Sequence, residues 1–279
     1  MGGIISQGMS FTGERYNNVV ETYKQSLDFR ASLMNASGSL GFFPDPRGPI
    51  DWEQFGAFIT NPISRKPRQP AKAPRRMSFP GGMLLHTGHP NPGFSAAVRR
   101  YAGRWRRAPV PVIVHLLGGN REELQSMLVR LEEIENVVAV EIGLPTGVGP
   151  AEAVEVVQAS VGELPVIIRV PLTRSAEFAS TAIRLGASAV SLGPPRGALP
   201  GPENNLVYGR LYGPGMFSQA LRIVGELVKL GIPVIGAGGV YKQEQADVML
   251  ASGAAAVQLD MILWRGDWFN KSTQQEVSD

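Results

Sequence analysis

Between about residues 108 and 260, short apolar runs alternate with longer stretches of helical period. The runs are 110–115, 137–142, 165–170, 187–192, 232–235 and 255–259. They are apolar at nearly every position and rich in β-branched residues, as in strands covered on both faces of a parallel sheet. Between them the apolar positions recur every three or four residues. Residues 120–135 open on an Asn cap and place Leu124, Leu128 and Leu131 on one stripe. Residues 150–161 begin with proline and carry Val154, Val157 and Val161 together. Residues 175–185, 216–230 and 243–251 complete the set, with Gly186, Gly231 and Gly253 at C-cap positions.

Upstream, 30–35 and 55–60 read as two more strands and 94–106 as a helix. Eight strands alternating with helices predict an α/β fold, a (β/α)8 TIM barrel over 25–266. A doubly wound open sheet is the runner-up, but no Gly-x-Gly-x-x-Gly follows a strand. Residues 1–24 read as an N-terminal extension and 267–279 as a C-terminal tail. The Pro- and Gly-rich stretch 61–93 reads as a long loop over the barrel mouth.

The absence of cysteine from all 279 residues removes disulfides, thiolate nucleophiles and thiolate metal sites. A reducing cytoplasm is the expected compartment. No apolar run is long enough to span a membrane. The net charge of +3 names no polyanionic partner. The basic run Arg65, Lys66, Arg68, Lys72, Arg75 and Arg76 has one neighbouring aromatic, Phe79, and reads as a solvated loop rather than a nucleic-acid site.

In such a barrel the chemistry sits where the strands end. The rim then holds Asn35, Asn61, His115, Arg169, Asp260 and the stretches 143–146, 193–195 and 236–239. Glycine-rich 236–239, between a strand and a helix, suits a phosphate. Arg169, closing an apolar strand, either holds an anionic or electron-rich group or pairs with a carboxylate such as Glu141. His115 is either an acid/base group or a hydrogen-bonded structural histidine. His86 and His89 lack a nearby carboxylate, and no metal site is expected.

These residues resemble the dihydroorotate dehydrogenase family of FMN-binding (β/α)8 barrels. The resemblance spans roughly residues 26–266. It is carried by Asn35-Ala-Ser-Gly38, Gly56-Ala-Phe-Ile-Thr60, Pro90-Asn-Pro-Gly-Phe94 and Pro111-Val-Ile-Val114. The closing half adds Gly209-Arg-Leu-Tyr-Gly-Pro214, Ile232-Pro-Val-Ile-Gly-Ala-Gly-Gly-Val240 and Gly253-Ala-Ala-Ala-Val-Gln258. It implies FMN at the barrel mouth, with the phosphate on Gly213, Gly238 and Gly239 and the ring against Ala36 and Ser37. Arg169 replaces a family lysine at the ring's electron-rich edge. Asn91 matches a substrate-binding asparagine.

The departures concern the chemistry. A family lysine falls on Asn61. The loop that supplies two substrate asparagines and the catalytic base reads Gly143-Leu-Pro-Thr-Gly-Val148, leaving Thr146 in the base's register. A third asparagine falls on Gly193–Pro194. The Gly-Thr completing the phosphate site is Asp260-Met261, and a carboxylate beside a phosphate repels it unless paired or turned away. The resemblance implies a flavin oxidoreductase of pyrimidine-biosynthesis type, acting on the CH–CH bond of a small anionic or heterocyclic substrate. The alternative is a degenerate member serving as a binding or partner subunit. An aldolase-type barrel ranks last, lacking a strand-end lysine. A homodimer is compatible with each reading.

Overall fold

The computed structural model describes residues 27, 29–145, 147–265 and 268. Eight parallel strands close into a barrel. In chain order they are β1 (Leu33–Asn35), β2 (Phe55–Ile59), β5 (Val112–Leu117), β6 (Val137–Gly143), β7 (Val166–Pro171), β8 (Ala189–Gly193), β11 (Val234–Ala237) and β12 (Ala256–Leu259). Around the barrel they run β1-β12-β11-β8-β7-β6-β5-β2, and β2 returns to β1. The expected (β/α)8 barrel is therefore the fold. The crossovers carry α1 (Phe94–Arg106), α2 (Arg121–Glu132), α3 (Pro150–Ser160), α4 (Ser175–Arg184), α5 (Phe217–Lys229) and α6 (Gln243–Ala251). Between β1 and β2 lies only the short 3-10 turn Trp52–Gln54. No helix among the described residues is long and apolar enough to cross a membrane.

Apolar packing forms two shells. The outer one lies between barrel and helices and includes Trp105, Leu131, Val190 and Leu227. The inner one fills the barrel with Met34, Ala57, Ile59, Ile113, Ala139, Ile167, Ala189, Ile235 and Ala256. Large and small side chains mix there, as the tapering interior of a barrel requires.

Four further strands were not among those expected. The stretch read as a loop contains a hairpin, β3 (Arg76–Phe79) and β4 (Gly82–Leu85), and still lies at the mouth. A second hairpin pairs β9 (Arg196–Pro200) with β10 (Leu206–Tyr212). Together they make an antiparallel sheet in the order β3-β4-β10-β9. Its residues alternate between exposed and half-buried in β3 and β9, with one face turned to water. The turn-rich Gly201-Pro-Glu-Asn-Asn205 between two alternating runs was the signal for the second hairpin. Of the expected tails, 1–24 lies outside the described residues, as does 267–279 apart from Trp268, which is buried.

The β1–β2 pairing shifts register, with Leu33 opposite Phe55 but Met34 opposite Ala57. Gly56 is the extra residue. A Cβ there would lie 1.9 Å from the Ala31 carbonyl oxygen. Gly56→Ala is expected to cost about 3 kcal/mol or more by overpacking, read as a lowered urea midpoint. A loss below about 1 kcal/mol would mean that β1 moves aside at little cost.

Candidate active site at the barrel mouth

Two residues beyond the apolar layer, the inward register becomes polar. Ile113 is followed at this spacing by His115, Ala139 by Glu141, Ile167 by Arg169, Ala189 by Ser191 and Ala256 by Gln258. A period of two keeps each pair on the same strand face. Five strands thus aim polar groups into one ring.

Glu141 is its centre and has no solvent exposure. Its Oε2 accepts from His115 Nδ1 at 2.5 Å and lies 3.7 Å from Arg169 Nη1. Its Oε1 accepts from Ser191 Oγ at 2.6 Å and Gln258 Nε2 at 2.7 Å. Burial pushes the carboxyl's pKa up, but the Arg169 charge and the bonds from His115 and Ser191 outweigh it, holding the pKa at about 2. For His115, burial dominates over the bond to Glu141 and lowers the pKa. The pair is therefore a carboxylate and a neutral imidazole. An ionised carboxylate only accepts, so Nδ1 carries the proton and Nε2 is a free base.

That nitrogen reaches the space beside Gly143, where an added Cβ would stand 2.8 Å from it. The His115 ring and a side chain at position 143 compete for one volume. Glycine at position 143 thus leaves the room that the His115 ring occupies.

Above the ring is a cavity of about 280 Å³ whose lining includes Ser37, His89, His115, Arg169, Arg210 and Tyr212. It is just below the ~300 Å³ where ligand pockets begin. The β3-β4-β10-β9 sheet supplies Arg210 and Tyr212 as its roof. Burial lowers the Arg210 pKa to about 10; Tyr212 opposes this, while the charges of Arg169, Arg196 and Arg68 add to it. No carboxylate among the described residues pairs with Arg210. Burial, then Arg210 and His115, push the His89 pKa down to about 2. His89 Nε2 is buried without a partner.

The other expected site residues are placed as follows. Ala36 N–H donates to Leu259 O at 2.7 Å, closing the barrel. Ser37 Oγ donates to Thr60 O at 2.8 Å. Asn61 Oδ1 accepts from Gly41 N–H at 3.1 Å. Asn91 Oδ1 accepts from Gly93 N–H at 2.9 Å and Ser64 N–H at 3.2 Å, and its Nδ2 donates to Ser64 Oγ and His89 O. Its side chain thus ties the loop ahead of α1. Thr146 lies outside the described residues. Gly213 and Gly239 meet at the start of α5, where a Cβ on Gly239 would lie 2.3 Å from Phe217 N and 3.0 Å from Gly213 O. Ser191, Gln258 and Arg210 were missing from the expected site. For the first two, the signal was a polar residue two places after an alanine at a strand end.

Residues 19–159 match the family model described as dihydroorotate dehydrogenase. The chain is 30% identical over 276 residues to the "Dihydroorotate dehydrogenase B (NAD(+)), catalytic subunit" of Pelobacter propionicus, covering 90% of this chain and 88% of that protein. It is 33% identical over 258 residues to the protein of the same name from Geobacter sulfurreducens, covering 84% and 83%. The chain belongs to the dihydroorotate dehydrogenase family.

The FMN implied by the resemblance meets two different ends of this site. At the ring end, Ser37 and Arg169 line open space and fit a planar, electron-rich group. At the phosphate end, Asp260 accepts from Met261 N–H at 2.5 Å, and the Gly239 N–H also stabilises its charge. Those donors already serve an anion of the chain itself. The ring end fits a flavin of this family; the phosphate end does not fit a phosphate.

Burial raises the Asp260 pKa from 3.8 to about 6, against the pull of Met261, Arg169 and Gly239. A raised carboxyl pKa leaves stability intact below pH 3.8 and removes it as pH climbs through 6. Asp260→Asn should therefore stabilise the fold at pH 7.5, by up to about 3 kcal/mol. The gain should shrink towards zero near pH 4, as read by urea unfolding at both pH values. A gain independent of pH would contradict this charge state.

Proposed function

We propose that this chain is a dihydroorotate dehydrogenase-like oxidoreductase acting on a small organic anion other than dihydroorotate. The carrying observation for the substrate class is the cavity roof and wall. Arg210 has no carboxylate partner among the described residues, Arg169 lines the same cavity while reaching Glu141 only at 3.7 Å, and His89 Nε2 is an orphan. An anion entering there gains charge-assisted hydrogen bonds and relieves the mutual repulsion of the arginines. Dihydroorotate is disfavoured because Gly143 and Gly193 offer no amide side chain to its polar edge.

His115 is the proton acceptor in this reading. Glu141 fixes its tautomer and orientation, and Nε2 faces the cavity as the basic atom. The pair supplies what the loop around Thr146 lost. A flavin bound at the ring end would supply hydride exchange, and Arg169 would stabilise the negative charge of its reduced ring. The relatives named above are catalytic subunits, so a companion subunit and NAD+ as acceptor belong to this reading.

A second reading, a non-catalytic binding or partner subunit, is favoured by one observation, the Asp260 carboxylate in the phosphate cradle. A visible spectrum of the purified protein, before and after adding flavin and removing the excess, separates the two. Retained flavin that small carboxylates reduce anaerobically supports the oxidoreductase. Colourless protein that still binds carboxylates supports the second reading.

In the first case His115→Asn should slow flavin reduction by about 10²–10⁴-fold with flavin still bound. An unchanged rate removes His115 from the chemistry. In either case Arg210→Met should weaken carboxylate binding about 10–100-fold by calorimetry. Unaltered affinity would place the anion elsewhere.

A further inference from the structure

The phosphate end of the mouth holds a group that serves no step above. Asp260 follows β12 and is only 8% exposed. Its carboxylate caps the 3-10 turn Met261–Trp264 through Met261 N–H at 2.5 Å. The Gly239 N–H and its own N–H further stabilise its charge, as does Arg169. Gly238 and Gly239 have φ of 110° and 72°, which turns the backbone after β11 towards this point. Gly239 is pressed against the first residue of α5, so a positive helix end stands behind it. Backbone donors, a helix end and an arginine form an anion site. The anion is a side chain.

We infer that Asp260 is a built-in substitute for a ligand phosphate, so that this mouth selects against phosphate-bearing cofactors. A phosphate would have to displace the carboxylate from its donors or sit beside it. The first leaves a buried carboxylate without partners, and the second sets like charges together in a desolvated site. A flavin with a terminal hydroxyl in place of the phosphate meets neither obstacle, because a hydroxyl donates to a carboxylate. The choice of flavin as probe rests on the oxidoreductase reading; the assignment of Asp260 does not.

The experiment titrates FMN, riboflavin and inorganic phosphate into the wild-type chain, Asp260→Gly and Asp260→Asn. Flavin fluorescence reads the first two, and thermal unfolding reads the third. The wild type should bind FMN no more tightly than riboflavin and gain no thermal stability from phosphate. Asp260→Gly should shift the preference towards FMN by about 100-fold, the scale of removing one like charge from a buried contact. It should also gain stability from phosphate. Asp260→Asn keeps the cap on Met261 and should shift the same way by less, which covers the case in which the glycine variant does not fold.

Two results overturn the inference. One is a wild type that holds FMN far more tightly than riboflavin. The other is folded variants with an unchanged flavin preference and no response to phosphate. If no form binds either flavin, the oxidoreductase reading fails, and the phosphate response alone decides on Asp260: a gain in the variants supports it and no gain refutes it.

Discussion

An ionised carboxylate at the centre of a closed barrel is the constraint on which the mouth depends. Glu141 is out of contact with water, and an unpaired charge there would cost several kcal/mol. Four strands answer it, through His115, Arg169, Ser191 and Gln258. Each answer fixes a rotamer and ties one strand end to another. The ring is therefore both the lid on the apolar layer of Ile113, Ile167 and Ile235 and the floor of the cavity. Removing the carboxylate would take from four polar groups the acceptor they share.

From this follows the chemistry of the histidine. Against a hydroxyl or a water, which can both donate and accept, His115 could take either tautomer. Paired with an ionised Glu141, it must present a lone pair at Nε2. Gly143 makes the room for that ring. A side chain longer than hydrogen at position 143 and the His115 ring in its present place exclude each other.

The two ends of the mouth differ in charge. The wall near Arg210 is left with a positive charge that no carboxylate among the described residues neutralises. The end near Gly239 is neutralised from within by Asp260. Membership of the dihydroorotate dehydrogenase family accounts for the barrel and for where its ligands should go. The division of charge is carried by Arg210 at one end and Asp260 at the other.

The barrel was legible because burial on both strand faces writes long apolar runs, and helical crossovers write a 3.6 period between them. Arg169 and Gly236–Gly239 were legible as strand-end residues for the same reason. The recurring motif of a small or branched residue, a valine or isoleucine and then a polar residue was also written in the chain, at 113–115, 139–141, 167–169, 189–191 and 256–258. That these polar residues share one carboxylate was not, since Glu141 and Gln258 are 117 positions apart and meet only through barrel closure. The antiparallel sheet over the mouth escaped because its strands are half exposed and lack the continuous apolar runs of the barrel, leaving only the turn-rich 201–205 as a local signal. Whether Asp260 pointed into or away from the glycine cradle was likewise undecided by sequence. One residue of register separates the two, and the close packing of β11, β12 and the start of α5 sets that register.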